Sequence, residues 1–368
     1  MEKTLGLLIM IGLGLVLQRQ IKQPDQLTGI KTIILSLALP ATIFIALLRV
    51  DLQPGLLYLP LLGIGINLFL ILAFSVISPL FKSINDRKKR TLLLLLPSLA
   101  PGLSCFPFIV EYLGADQLAF AALMDVGNKF FVLIFLYLLA MHWYFLYNRI
   151  HKGSRNEDLR KMLKKMFTEP INLIMIVALV LLGFGLNVEA LPSLVSSTFL
   201  KLSSIMSPLI LLFIGLAVKL KGNQIKMIFQ LLICKSGLLL LGSALFIYLS
   251  PELSPLMILL AIVFPQSSCS FWPFAHINLI NNQETEGAKT FDLDFGLAIV
   301  ACSLPFSSIL IIGVLSFPAQ SANPTIIGLL GLTLLALSLL PPLISLIKKT
   351  ISRPQGRLTE AEGLPSIN

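Results

Sequence analysis

Two segments of this chain are apolar enough to cross a membrane, yet neither can do so as an unbroken helix. The first, Leu92–Gly114, is interrupted by Pro97-Ser98-Leu99-Ala100-Pro101-Gly102-Leu103-Ser104-Cys105-Phe106-Pro107. The second, Leu256–Ile280, is interrupted by Pro265-Gln266-Ser267-Ser268-Cys269-Ser270-Phe271-Trp272-Pro273. Proline removes a backbone donor and its ring clashes with the preceding turn. In hydrocarbon the freed carbonyls have no water to turn to, so such breaks persist only where protein buries them or where they line a wet cavity. A matched pair, one per half of the chain, points to a binding site near the bilayer midplane of a transporter.

Composition supports a membrane setting. Of 368 residues, 56% are hydrophobic and 12% are charged, with a mean hydropathy of +0.90. The charged fraction is about half that of an ordinary soluble domain. The apolar runs are far longer than barrel strands, so an all-α polytopic membrane protein is expected. Eleven spans are placed near 3–19, 29–49, 55–81, 91–114, 117–147, 170–188, 197–219, 225–249, 255–281, 288–317 and 324–347. The stretch Leu5–Leu17 lacks a small-residue cleavage site and is read as a retained first helix.

The net charge of +10 sits in short loops, which argues for anionic lipid rather than nucleic acid as its partner. Basic residues gather between spans 1–2, 3–4, 5–6 and 7–8 and in the tail, with Arg87 to Arg90 and the loop 148–168 the densest. The opposite loops carry mainly Asp51, Glu111, Asp116, Glu189 and Glu252. The positive-inside rule then predicts a cell (plasma or inner) membrane protein with its N-terminus outside and its C-terminus cytoplasmic. Thr168, Glu169 and Pro170 read as cap, first turn and first helical residue of the sixth span.

The halves repeat. At an offset of 168, Pro24 meets Pro192, Pro40 meets Pro208, and Pro97 meets Pro265. Chance would give about one such match from this proline content. Each pair also falls on the same feature of its half. One residue out of register, Asp125-Val126-Gly127 matches Asp294-Phe295-Gly296. Five spans per half is an odd number, so the second copy enters the membrane inverted. The expected organisation is residues 1–147 as the first five-helix repeat, 148–168 as a basic cytoplasmic loop, 169–317 as the inverted second repeat, and 318–368 as an extra transmembrane helix with a cytoplasmic tail. The broken spans are helices 4 and 9 of this plan.

On these residues the chain resembles the auxin efflux carrier family of permeases, the PIN-like transporters, over residues 1–317. The likeness rests on Leu39-Pro40-Ala41-Thr42-Ile43-Phe44, on Pro208-Leu209-Ile210-Leu211-Leu212-Phe213-Ile214-Gly215, and on Gly102…Pro107 followed by Gly114-Ala115-Asp116-Gln117-Leu118-Ala119-Phe120-Ala121-Ala122-Leu123. It implies ten helices as two inverted repeats, helices 4 and 9 crossing at their breaks, and export of organic anions such as auxin or small dicarboxylates. The family's first crossover usually carries Asn before the first Gly and a second Gly before the Pro. Here Ala100 and Cys105 stand at those positions. The eleventh helix has no counterpart in the ten-helix plan.

Candidate site residues follow from the breaks. Half-helix N-termini present unpaired N–H groups that suit an anion, and Ser98, Gly102, Ser104, Gln266, Ser267 and Ser268 shape or line the breaks. Tight packing of kinked helices is the structural alternative. Lys235 lies near the middle of the eighth span, where an unpaired Lys costs roughly 2.5–3.5 kcal/mol. Its counterpart at the repeat offset is Asn67. Three readings of Lys235 stay open: a fixed cation for a carboxylate substrate, a replacement for a bound Na⁺, or a salt bridge to Asp294 or Asp125. Asp125 and Lys129 stand at i, i+4 on one helical face and can neutralise each other. Asp294 is placed two turns into the tenth span, and a protonatable Asp is a coupling candidate. His276 follows the second break and reads as a pH-responsive, substrate-contacting or packing histidine. Phe271 and Trp272 either pack the break or wall a site.

Cys105, Cys234, Cys269 and Cys302 all fall in apolar spans without a CxxC, so neither disulfide nor metal site is inferred. No cofactor and no catalytic residue is expected, and the chain is read as no enzyme. The expected function is a secondary transporter of a small organic anion by alternating access. A sodium-coupled symporter of the bile-acid type and a membrane sensor or scaffold are the alternatives. Whether two copies pair as a homodimer is left open by the sequence.

Overall fold

The structure is a computed structural model that describes residues 2–21, 23–49, 56, 58–81, 84–148, 170–217, 224–281, 284 and 289–351. Most of the basic loop 148–168, with Thr168 and Glu169, lies outside the described residues. Thirteen helical segments are used below. They are α1 (Glu2–Leu17), α2 (Asp25–Leu48), α3 (Tyr58–Leu80), α4 (Asp86–Leu95), α5 (Phe106–Tyr112), α6 (Ala115–Tyr147), α7 (Pro170–Gly183), α8 (Ser193–Leu216), α9 (Ile225–Leu249), α10 (Pro255–Val263), α11 (Phe271–Asn281), α12 (Leu293–Ser316) and α13 (Pro324–Ile351).

Among the described residues seven helices are long and apolar enough to cross a membrane: α2, α3, α6, α8, α9, α12 and α13. The other four expected spans take different forms. The helices α1 and α7 are shorter, at 16 and 14 residues. The fourth and ninth spans are divided, into α4 and α5 and into α10 and α11, where the prolines stand. The molecule is all-α; no strand occurs among the described residues beyond one isolated antiparallel bridge, Ala100 with Ser268.

Capping chemistry moves two expected boundaries. The side chain of Asn85 accepts from the Lys88 N–H at 2.9 Å, so α4 starts at Asp86. Arg87, Lys88, Lys89 and Arg90 therefore sit on the helix rather than in the loop assigned to them above. Asp292 accepts from the Phe295 N–H at 2.9 Å, and α12 starts at Leu293. Asp294 thus occupies the first turn, not a position two turns in, and it is exposed. Carboxylates are favoured at that end of a helix.

The repeat-matched prolines disturb their helices in different ways. A π-helical turn, Ile34–Ala38, precedes Pro40 in α2. In α8 the first helical piece ends at Ser204, four residues before Pro208, and the helix resumes at Met206. Both fit a ring that clashes with the carbonyl four residues back.

Small residues set the close helix crossings, as they do where apolar lipid cannot drive association. The backbones of α3 and α6 meet at Gly63 and Gly127. A Cβ on Gly127 would run into the Pro60 carbonyl, and one on Gly63 into the Met124 carbonyl. The helix α13 lies along α9, where a Cβ on Gly237 would be 2.9 Å from the Gly331 carbonyl. A second group, α1, α2, α7 and α8, packs on itself. Between the groups lie the two breaks.

Candidate functional site: the junction of the two breaks

A broken helix leaves backbone N–H and C=O groups that must find partners if buried. At the first break the Asn128 side chain, from α6, accepts from the Leu99 N–H at 3.2 Å and donates to the Leu99 carbonyl at 3.0 Å. One amide thus replaces both bonds that a continuous helix would give this residue. Asn128 is itself held. It donates to Asp125 at 2.7 Å and accepts from Asn67 of α3 at 2.9 Å. Asn67 also bonds its own helix, at the Gly63 carbonyl.

The second break is held from two helices, α12 and α9. The Cys269 N–H donates to the Ser303 hydroxyl of α12 at 3.1 Å. The Lys235 ammonium, from α9, donates to the Ser267 carbonyl at 3.1 Å and approaches the Cys269 sulfur at 3.6 Å. Gln266 turns back to α9 and donates to the Ser236 carbonyl at 3.4 Å.

The two breaks are also joined to each other. The Ala100 N–H donates to the Ser268 carbonyl at 2.8 Å. The Ser268 N–H donates to the Ser104 hydroxyl at 2.9 Å, and the Ser270 N–H to the Ser98 hydroxyl at 3.1 Å. The Cys105 thiol approaches the Val263 carbonyl at 3.5 Å. These serines are buried, so each bond is made in a place where an unmet group would be costly.

A cavity of about 450 Å³ opens on this junction. Both breaks contribute to its wall: Leu99 to Leu103 from the first, Ser268 to Trp272 from the second. Helix α6 adds Asp125, Asn128, Lys129 and Val132, while α2 adds Leu27, Lys31, Leu35 and Leu39. Phe106 of α5, Phe213 of α8 and Leu297, Val300, Ala301 and Leu304 of α12 complete it. Its charged members are two lysines and one aspartate. Lys129 pairs with Asp125 at 3.7 Å. Lys31 is half-buried and its ammonium lies 4.6 Å from the centre of the Phe271 ring. The lining therefore carries a net positive charge in an otherwise apolar wall.

Of the residues expected at the site, Gly102, Ser268, Asp125 and Lys129 line the cavity. Ser98, Ser104, Ser267, Gln266, Asn67 and Lys235 stand behind its wall and hold the breaks. Lys235 pairs with neither Asp294 nor Asp125; its contacts are a carbonyl and a thiol. Asp294 and His276 are not cavity residues. The ring of His276 is buried edge-on to Tyr137, at 5.4 Å between centres. Two polar lining residues, Lys31 and Asn128, escaped the sequence analysis. Lys31 follows a polar stretch at the start of α2 and looks there like an interfacial lysine. Asn128 adjoins the Asp125–Lys129 pair, and an amide beside an ion pair in an apolar span was its available signal. Among the described residues no cluster of three or more His, Cys, Asp or Glu could hold a metal ion.

No family model matches this chain, and no curated protein matches it. The functional argument therefore rests on the sequence and on this geometry.

Proposed function

We propose that this protein is a secondary transporter that carries a small organic anion, such as a carboxylate or an auxin-like acid, by alternating access at the junction of its two breaks. The observation that carries the reading is the cavity itself: two broken helices meet there, and Lys31 and Lys129 outnumber Asp125 among its lining residues. A carboxylate entering it would displace Asp125 as the partner of Lys129 or engage Lys31, while its apolar body would lie against Phe106, Phe213 and Trp272. The size suits a small molecule. In this reading the chain is a PIN-like permease with an inverted 5+5 repeat, the breaks cross near the bilayer midplane, and α1, α2, α7 and α8 form the scaffold against which the remainder moves.

Uptake into proteoliposomes from a panel of labelled organic anions tests this. At least one carboxylate should accumulate, and Lys129→Gln should lower its uptake roughly tenfold, the loss expected when a charge-assisted contact worth about 1.5 kcal/mol is removed. No uptake of any anion, or undiminished uptake by Lys129→Gln, would count against the proposal. The proposed orientation, N-terminus outside and loop 148–168 cytoplasmic, is checked with a cysteine placed at Asn156. An impermeant thiol reagent should label it in broken cells and spare it in intact ones.

A further inference from the structure

Lys235 is a buried cation that the transport reading leaves without a task. It is 3% exposed, it lies mid-way along α9, and it does not line the cavity. No carboxylate lies within ion-pair distance of it among the described residues. Yet a buried ammonium needs strong acceptors. The acceptors it has belong to the second break: the Ser267 carbonyl at 3.1 Å and the Cys269 sulfur at 3.6 Å.

Those two atoms flank Ser268, the residue through which the second break bridges to Ala100 of the first. A carbonyl freed by a helix break carries partial negative charge and is the kind of ligand that a small cation takes. We propose that Lys235 is a tethered cation: its ammonium fills a cation position built by the second break, and this charge holds Ser267 to Cys269 in the shape that completes the cavity wall. Lys235 is a positioning residue in this account, since it acts on the wall and touches no substrate. The first break needs no such charge, because Asn128 meets its backbone with a neutral amide.

The inference goes beyond the transport proposal and is tested without a transported substrate. The full chain is purified in detergent and its thermal midpoint is measured. Lys235→Ala should lower the midpoint by roughly 3–8 °C, as expected for an unmet buried carbonyl. It should also open a space the size of the lysine stem and head. Ethylammonium or propylammonium chloride should then restore at least half of the loss, while choline chloride, too bulky to enter, should restore none. The wild-type midpoint should not respond to either salt. Lys235→Met, which keeps the stem and removes the charge, should be as destabilised as Lys235→Ala, and Lys235→Arg should be closer to wild type. Failure of both alkylammonium ions to rescue Lys235→Ala would overturn the proposal. So would a Lys235→Met protein that melts with the wild type, a readout that stands even if the alanine variant does not fold.

Discussion

The two breaks solve one physical problem with different chemistry. Each must satisfy backbone groups that a continuous helix would have paired. The first relies on Asn128, a neutral side chain that offers donor and acceptor together and meets both groups of Leu99. The second divides the work between the Ser303 hydroxyl and the Lys235 ammonium. Positions 67 and 235 are 168 residues apart, as are Pro97 and Pro265, yet one holds an amide and the other a cation. Both segments are broken near prolines 168 residues apart, but different side chains hold the two breaks. The difference also separates charge by location. Near the first break the ions face the cavity, as Asp125 and Lys129. At the second the ion stands behind the wall.

The comparison breaks most sharply at Asn128. Asn128→Ala strands the Leu99 N–H and carbonyl and removes the partner of Asn67, so a loss of about 4 kcal/mol is expected from two or more unmet buried groups. Denaturant titration in detergent measures it. If the variant were as stable as the wild type, water would have to be serving the first break instead.

Next comes the glycine pair. Gly127→Ala would push its methyl group into the Pro60 carbonyl, and backbone on both sides leaves little room to yield. Overpacking of that kind should cost about 3 kcal/mol. The matched Gly296→Ala meets only side-chain tips, Leu95 and Thr91 at 3.2 Å and Phe274 at 3.3 Å. Those can shift, so less than about 1 kcal/mol is expected. Equal costs would mean that α12 is packed as tightly at this point as α6.

The smallest effect belongs to Asp294→Asn. The residue is exposed in the first turn of α12, so stability should change by no more than about 0.5 kcal/mol and anion uptake should be unaltered. A marked loss of uptake would place Asp294 in coupling after all and would restore its parity with Asp125.

Much of the architecture is legible from residues acting locally. Clustered prolines, at 97, 101 and 107 and at 265 and 273, disfavour unbroken helices, and the structure is divided at both places, whereas Pro305 in α12 and Pro341 and Pro342 in α13 lie inside continuous helices. Long apolar runs likewise require membrane-length helices, and seven are present among the described residues. Helix starts were less legible. Asn85 and Asp292 each cap a helix that the hydropathy pattern alone would begin elsewhere, because capping depends on one hydrogen bond and not on average polarity.

The roles of the polar residues could not be read in this way. Lys31 and Lys235 are both lysines in apolar segments. One lines the cavity because α2 turns it toward Phe271, and the other is walled off because the second break folds over it. Serines 98 and 104 look like substrate ligands until the opposite break is in place, whereupon their hydroxyls accept the N–H groups of Ser270 and Ser268. A proline disturbs its own helix through its own ring, so its effect is local. The partners of these side chains lie from about thirty to more than a hundred and fifty residues away in sequence, and only the packing of the breaks with α6, α9 and α12 sets which acceptor each donor meets.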